Sequence, residues 1–442
     1  MRTRVLLVCT AGAVLLASGR WEPPVQTAGL ASTMVGVPGS NEFCLMPPER
    51  GAYAQTRGGG AGRVLPNEKP RDSGAWLESD VEGGDIMPAR GVFDPYPTFD
   101  AVAVDAEVGK VFFTDATLSS LLSYSVDAGG DSPEITDHQT RVLGPHTGIG
   151  FIAGADVDTQ RKEVYAVNND GGGVVVFSYN QNGSVKPIRH FETPHQSWGI
   201  SVSPPRDEVA ITVQQMHGVV FYRRDAKDLE PPSRATLRGY DTGLADPHGI
   251  DHDEQRKELV VTNHGNWTEL RPYSPYDPLS KTAQVYQSGR FEPPSIRVYP
   301  AAAEGNTKPL RSITGDRTGL NWPMGVTVDE TADEIIVANY GDNSIRSYRR
   351  TAEGDIAPVR IIQGDRTSIV GPVDVSIDAK RNELWVANYS DHTAVVFERG
   401  ASGNVAPKRI VRNAPKGTPA LTFSNAAAAA YDTKRDALIV PN

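Results

Sequence analysis

The stretch KRNELWVAN, Lys380–Asn388, recurs along the chain. QRKEVYAVN (Gln160–Asn168), QRKELVVTN (Gln255–Asn263), TADEIIVAN (Thr331–Asn339) and KRDALIVPN (Lys434–Asn442) follow the same pattern, and VGKVFFTDA (Val108–Ala116) and PRDEVAITV (Pro205–Val213) are weaker copies. A polar turn leads each time into alternating apolar residues, the period of a strand. A small-and-apolar run stands before each copy, as in GVTVD (Gly325–Asp329), DVSID (Asp374–Asp378), GADVD (Gly154–Asp158) and GIDHD (Gly249–Asp253). An apolar-aromatic run such as SIRSYRR (Ser344–Arg350) or SIRVYP (Ser295–Pro300) comes after most, then a Gly-Asp or Gly-Asn turn and a fourth run such as APVRIIQG. Four short strands per repeat, joined by tight turns, are the unit of a propeller blade. Pro187, Pro309, Pro358 and Pro407 open the fourth run. Proline cannot donate to a ladder, so this run is the outer edge strand.

The copies predict an all-β, seven-bladed β-propeller over residues 74–442, with six or eight blades as alternatives if the weak copies are misread. GDIMPARGVF (Gly84–Phe93) matches GDIAPVRIIQ (Gly354–Gln363), although nothing repeat-like precedes it. The last copy ends at Asn442 with only two strands. The expected closure is a split blade, with Ala75–Asp80 and the Gly84–Phe93 segment supplying its outer strands. Joining both ends removes the open ring edges.

Arg2 and Arg4 precede the apolar stretch Val5–Ala17, and Ala17 and Gly19 are small, so residues 1–19 read as an export signal and the protein as secreted or periplasmic. The stretch is too short to span a membrane comfortably, and no other segment is apolar enough, so no stable span is expected once the signal is removed. Residues 20–73, with EPP, MPPER and RGGGAGR, read as a flexible linker. Cys44 is then the one cysteine left, which excludes an internal disulfide. A formal net charge of −10 without a basic run excludes a nucleic-acid partner. No nucleotide loop, nucleophile elbow, haem-attachment pair or calcium loop is present.

The motif P-x-G-V-x-V-D … I-V-A-N … I-R-x-Y … G-N-x-x-P-x-R-x-I, clearest over 321–364 and 371–412, resembles the NHL-type and YVTN-type repeat propellers of secreted bacterial proteins. The resemblance implies the fold and says little of activity, because such propellers bind, scaffold and catalyse. It implies sites on the face carrying the loops into the innermost strands and out of the second strands. His146, His195 and His248 fall in loops of the first kind, and His217 and His264 in loops of the second. Neutral imidazoles meeting there could hold a divalent transition metal such as zinc, with His146, His195 and His248 as the candidate trio. Against this, Tyr340 and Tyr389 occupy the slot of His264, and Trp198, Met324 and Val373 that of His248, so both positions also suit plain packing. Pro247–Gly249 is similar to the P-H-S loop of the peptidylglycine amidating lyases, zinc propellers of six blades. His248 and Met324 stand where the gluconolactonase family has its acidic residues, which disfavours that chemistry.

Blade four carries an insertion, Gly265–Pro294, with Trp267, Tyr273, Tyr276, Tyr286 and Phe291. Long aromatic loops in compact domains are often binding loops. The first functional expectation is a secreted binding or scaffold propeller that takes a protein, peptide or carbohydrate through Trp267, Tyr273, Tyr276, His217 and His264. The alternative is a metal-dependent lyase or hydrolase, with a metal-bound water and Tyr240, Asp241 or Asp246 as acid or base. The recurrent Asn168, Asn263, Asn339, Asn388 and Asn442 read as structural turn caps, and the recurrent Asp105, Asp158, Asp329, Asp378 and Asp432 likewise read as structural.

Overall fold

The computed structural model describes residues 99–412, apart from 117, 134, 170, 268–269, 273–281, 285–289 and 392, together with the strands Ala430–Asp432 and Ala437–Ile439. Residues 95–418 form one unit and residues 1–94 with 419–442 another. In the second of these, Ala430–Asp432 pairs antiparallel with Ala437–Ile439.

The larger unit is a β-propeller of four-stranded antiparallel blades, each running from its innermost strand outward in chain order. The innermost strands are Phe99–Asp105, Ile152–Asp158, Ser197–Ser203, Pro247–Asp253, Pro323–Asp329 and Pro372–Asp378. The outermost strands start two residues after the prolines that mark them in sequence, as in Arg360–Ile362 and Arg409–Arg412. The second strands are buried throughout: all six residues of Glu383–Asn388 are covered. Both faces of such a strand meet a neighbouring blade, so it is apolar on both sides. Each large side chain buried there is worth about 1.5–3 kcal/mol.

The blade count corrects the expectation of seven. Six blades close the ring, because blade six packs directly on blade one. Val102 in blade one donates its backbone N–H to Asp374 of blade six at 2.9 Å, and Trp385 of blade six lies 6.1 Å from the Phe113 ring of blade one. Gly130 bridges to Ile410 at the rim. There is no gap at this seam for a further blade. The segments expected to form the split blade, 75–80 and 84–93, lie outside the described residues, as does Asn442.

Repeated polar staples account for several recurrent residues. A glutamate opening the second strand pairs with an arginine of the outer strand in the same blade, or in blade three with one just ahead of it: Arg189–Glu163, Arg234–Glu208, Arg311–Glu258, Arg360–Glu334 and Arg409–Glu383. The same arginine bonds a backbone carbonyl of the next blade, and Arg409 reaches Val126 of blade one at 2.7 Å, which carries the pattern across the closing seam. The pair spans 26 residues in blades two, three, five and six but 53 in blade four, which measures the insertion. Within the insertion, Asn266–Trp267 pairs with Arg290–Phe291 and Leu270–Pro272 with Thr282–Gln284.

The recurrent asparagines hold the turn after the second strand, where Asn339 Nδ2 donates to Asp342 at 2.7 Å and Asn388 Nδ2 to Thr393 at 3.1 Å, and they also reach the loop entering the blade. Asn263 Oδ1 accepts the N–H of Ala245 at 2.9 Å, and Asn168 and Asn339 do the same for Gly150 and Asn321. Each ties the loop entering the blade to the end of the second strand. The recurrent aspartates hold the first hairpin turn: Asp158 Oδ1 accepts from Gln160 and Arg161, and its other oxygen takes Arg224 of blade three at 2.7 Å.

Candidate functional site

Asp246 stands at the centre of the candidate site, at the threshold of blade four. Pro247 faces Asn263 in the first hairpin of that blade, so the next pair outward is Asp246 and His264. The His264 N–H donates to the Asp246 carbonyl at 3.1 Å. Asp246 is left-handed (φ 57°), as are Gln196 and Trp322 in the corresponding loops of blades three and five. This conformation is uncommon outside glycine, and its recurrence at one mouth marks a backbone bent to aim side chains.

Two runs of rings meet at Asp246. The first crosses four blades: Phe151 to Trp198 at 6.1 Å, Trp198 to His248 at 4.8 Å, His248 stacked on His264 at 3.6 Å, and His264 to Trp322 at 4.7 Å. The second is His217 stacked on Trp267 at 6.0 Å, with Tyr240 5.8 Å beyond. Asp246 links them. Its N–H donates to His217 Nδ1 at 3.1 Å, and its carboxylate lies 3.7 Å from Nδ1 of both His248 and His264. Asn266 Nδ2 and Gln214 Nε2 donate to the same carboxylate at 2.7 and 3.3 Å. Gln214 Nε2 also meets His248 Nε2 at 2.9 Å.

His248 and His264 are buried, and Trp198, Trp267 and Trp322 are half-buried. Tyr240 is 74% exposed. The shelf is therefore imidazole at its floor and indole and phenol at its rim. Burial pushes the pKa of His248 down despite the nearby Asp246. Burial and the neighbouring His248 push that of His264 well below the usual histidine value. Both rings are neutral at pH 7. His248 Nδ1 meets the Asp246 carbonyl at 3.2 Å, and His264 Nδ1 is buried without a hydrogen-bond partner.

The three histidines of the expected metal trio are not gathered. His146 is exposed on its loop, where its backbone N–H donates to Ser184 at 3.3 Å, and His195 is half-buried ahead of the innermost strand of blade three. Among the described residues, the group whose ligating atoms lie within 4.8 Å of one another is Asp246, His248 and His264. His217, His264 and Trp267 from the expected binding set do share the shelf. Tyr273, Tyr276 and Tyr286 lie outside the described residues, and Phe291 is 80% exposed. Of the expected acids and bases, Tyr240 stacks at the rim and Asp241 is bonded to Asn306 at 3.1 Å away from the imidazoles. Sequence reasoning gives Trp198 only a packing role in the slot of His248 and does not single out Trp322, Gln214 or Asn266. Trp198 and Gln214 were identifiable as the blade-three occupants of the slots held by His248 and His264.

Behind the shelf, the innermost strands surround a channel of about 80 Å³, lined by Asp100, Asp156, Trp198, Asp251, Thr327 and Asp374 among others. Asp156, Asp251 and Asp374 come from blades two, four and six. Each accepts an amide from the following blade, from Val202, Val328 and Val102 at 2.6, 2.7 and 2.9 Å. Burial raises all three carboxyls to about 7.

No protein-family model matches the chain, and no curated protein matches it in sequence. Solved structures match in fold. Hydrazine synthase of Kuenenia stuttgartiensis is 12% identical with a TM-score of 0.46, over 71% of this chain and 99% of that one. A nidogen–laminin complex is 14% identical with a TM-score of 0.44, over 68% and 95%. The WD40 propeller domain of Doa1 is 11% identical with a TM-score of 0.44, over 79% and 91%. None of them lends this chain a function, and its own propeller geometry is what places it in the all-β class.

Proposed function

We propose that this chain is an exported binding propeller of the NHL or YVTN kind, which recognises a peptide or carbohydrate on the shelf of blades three to five. The observation that carries this reading is the run Tyr240–Trp267–His217 beside the half-buried Trp198 and Trp322. Aromatic faces flanked by fixed amides suit a ligand with an apolar face and a hydrogen-bonding edge, and they bind it with little loss of side-chain freedom. The Asn266 and Gln214 amides are already fixed by Asp246, so the shelf is formed before a ligand arrives. Blade four supports the same reading, since its insertion leaves the second strand on this face and carries Trp267 near its start. Export rests on Arg2, Arg4 and the apolar stretch after them.

The test is binding of the labelled mature protein to glycan and peptide arrays, followed by titration of the best ligand with Trp267→Ala and Tyr240→Ala. A loss of about tenfold or more per variant, as for aromatic anchors elsewhere, supports the reading. Unchanged affinity in both variants would overturn it, and the array that gives the ligand decides between its two chemistries.

A further inference from the structure

The carboxylate of Asp246 is incompletely balanced. It takes amide donors from Asn266 and Gln214, and its other near neighbours are two imidazoles. Both imidazoles are buried. His264 adds a second, independent irregularity: its Nδ1 is buried and has no hydrogen-bond partner. Its Nε2 lies 3.1 Å from the sulfur of Met324, a weak acceptor. In the tautomer with its proton on Nε2, Nδ1 holds a lone pair 3.7 Å from a carboxylate oxygen. Two electron-rich atoms then lie close together, an arrangement that a cation relieves.

We infer that Asp246, His248 and His264 form a binding site for one divalent transition-metal ion, zinc being the best match. Ligands that share an ion at about 2.0–2.2 Å stand roughly 3.4 Å apart at tetrahedral angles. The two nitrogen–oxygen separations are 3.7 Å, and because the two imidazoles are stacked with 18° between their planes, one ring also has to rotate for both lone pairs to meet at the ion. Two imidazoles and one carboxylate suit zinc, and three protein ligands leave a fourth position for water or a ligand. The surroundings provide the supporting contacts that metal ligands need: Asn266 and Gln214 hold the carboxylate, His217 accepts the Asp246 N–H, and Trp198 and Trp322 pack against the outer faces of the stacked imidazoles. The Gln214 amide, now turned with its nitrogen to His248, can present its oxygen instead and take a proton from Nε2. His248 Nδ1, which now faces the Asp246 carbonyl at 3.2 Å, then carries a lone pair and has to turn from that oxygen to the ion. The site differs from a His146–His195–His248 trio in two of its three ligands, and it does not depend on the peptide or carbohydrate reading.

The experiment uses untagged mature protein, stripped with a chelator and titrated with zinc chloride by calorimetry, then with cobalt(II) by visible absorption. One equivalent of zinc and a tetrahedral cobalt spectrum are expected for the native sequence, for His146→Ala and for His195→Ala. His264→Ala and Asp246→Asn should weaken zinc by about a hundredfold or more. Absence of zinc uptake by the native protein would overturn the site, whatever the variants do. So would undiminished uptake in a His264→Ala protein with native circular dichroism, or loss in His195→Ala. Repeating the array titration with stripped protein keeps the two ideas apart: ligand binding without zinc uptake removes the metal alone, and zinc uptake without ligand binding removes the shelf reading alone.

Discussion

The Asp374 carboxylate of blade six accepts the Val102 N–H of blade one at 2.9 Å, and its second oxygen accepts the N–H of Val375 at 2.9 Å. One side chain thus ties the last blade to the first on the channel wall. Asp156 and Asp251 make the equivalent tie at two other blade junctions. Replacing Asp374 by Ala leaves two buried amides without a partner. A loss of about 1–3 kcal/mol for each is expected, read as a lower urea midpoint. A midpoint within error of the native one would show that the seam does not depend on this carboxylate.

The same carboxyls predict a pH dependence. Burial raises Asp156, Asp251 and Asp374 to about 7, whereas an unfolded aspartate titrates at about 3.9. Between those values the folded chain holds protons that the unfolded chain has released. Their contribution to stability is full below the unfolded value and is lost as pH rises through about 7. Carboxyl carbon shifts of aspartate-labelled protein should show three resonances with midpoints near 7, removed one by one in the three Asp→Ala variants. Midpoints below 5 for all aspartates would refute this.

Arg350 of blade five places Nη1 at 3.0 and 2.8 Å from the two oxygens of Asp253 in blade four, and both side chains are buried. Arg350→Ala leaves that carboxylate uncompensated, so a loss of about 3–5 kcal/mol is expected in urea unfolding. The double variant Arg350→Ala/Asp253→Ala should recover part of it. No recovery would mean that packing of the arginine stem, and not charge, sets the cost.

Gly249 follows His248 in the innermost strand of blade four, and a Cβ there would lie 2.4 Å from the Met324 carbonyl of blade five. Gly249→Ala should force the two strands apart, with a cost of about 1–3 kcal/mol or more and a lower thermal midpoint. It should also disturb the ring stack of His248 and His264, seen as altered near-ultraviolet circular dichroism from Trp198 and Trp322. A variant with the native midpoint and spectrum would show that the inner ring is looser than its spacing implies.

Much of the fold could be read from local pattern. The alternation in KRNELWVAN identifies a strand covered on both faces, the prolines of the fourth run identify an edge, and the insertion is visible as a break in the period. Part of the site was legible too. The hairpin that pairs Pro247 with Asn263 brings Asp246 beside His264, and this register follows from the repeat alone. His146, His195 and His248 each lie in a loop entering a blade, which is all that the sequence offers for grouping them. Sharing a face does not set the distance between side chains on different blades, and of the three only His248 points into the cluster of ligating atoms.

By itself, therefore, the sequence determined the class of the fold, the strand order within each blade and the face bearing the histidines, because these depend on contacts within one repeat of about fifty residues. The tertiary structure decided that six blades close the ring, since that follows from how adjacent blades pack and where Asp374 meets Val102. It also decided that Asp246 sits among His217, His248 and His264, because His217 reaches it from a different blade. Contacts between blades depend on the angle at which sheets pack, and no single repeat encodes that angle.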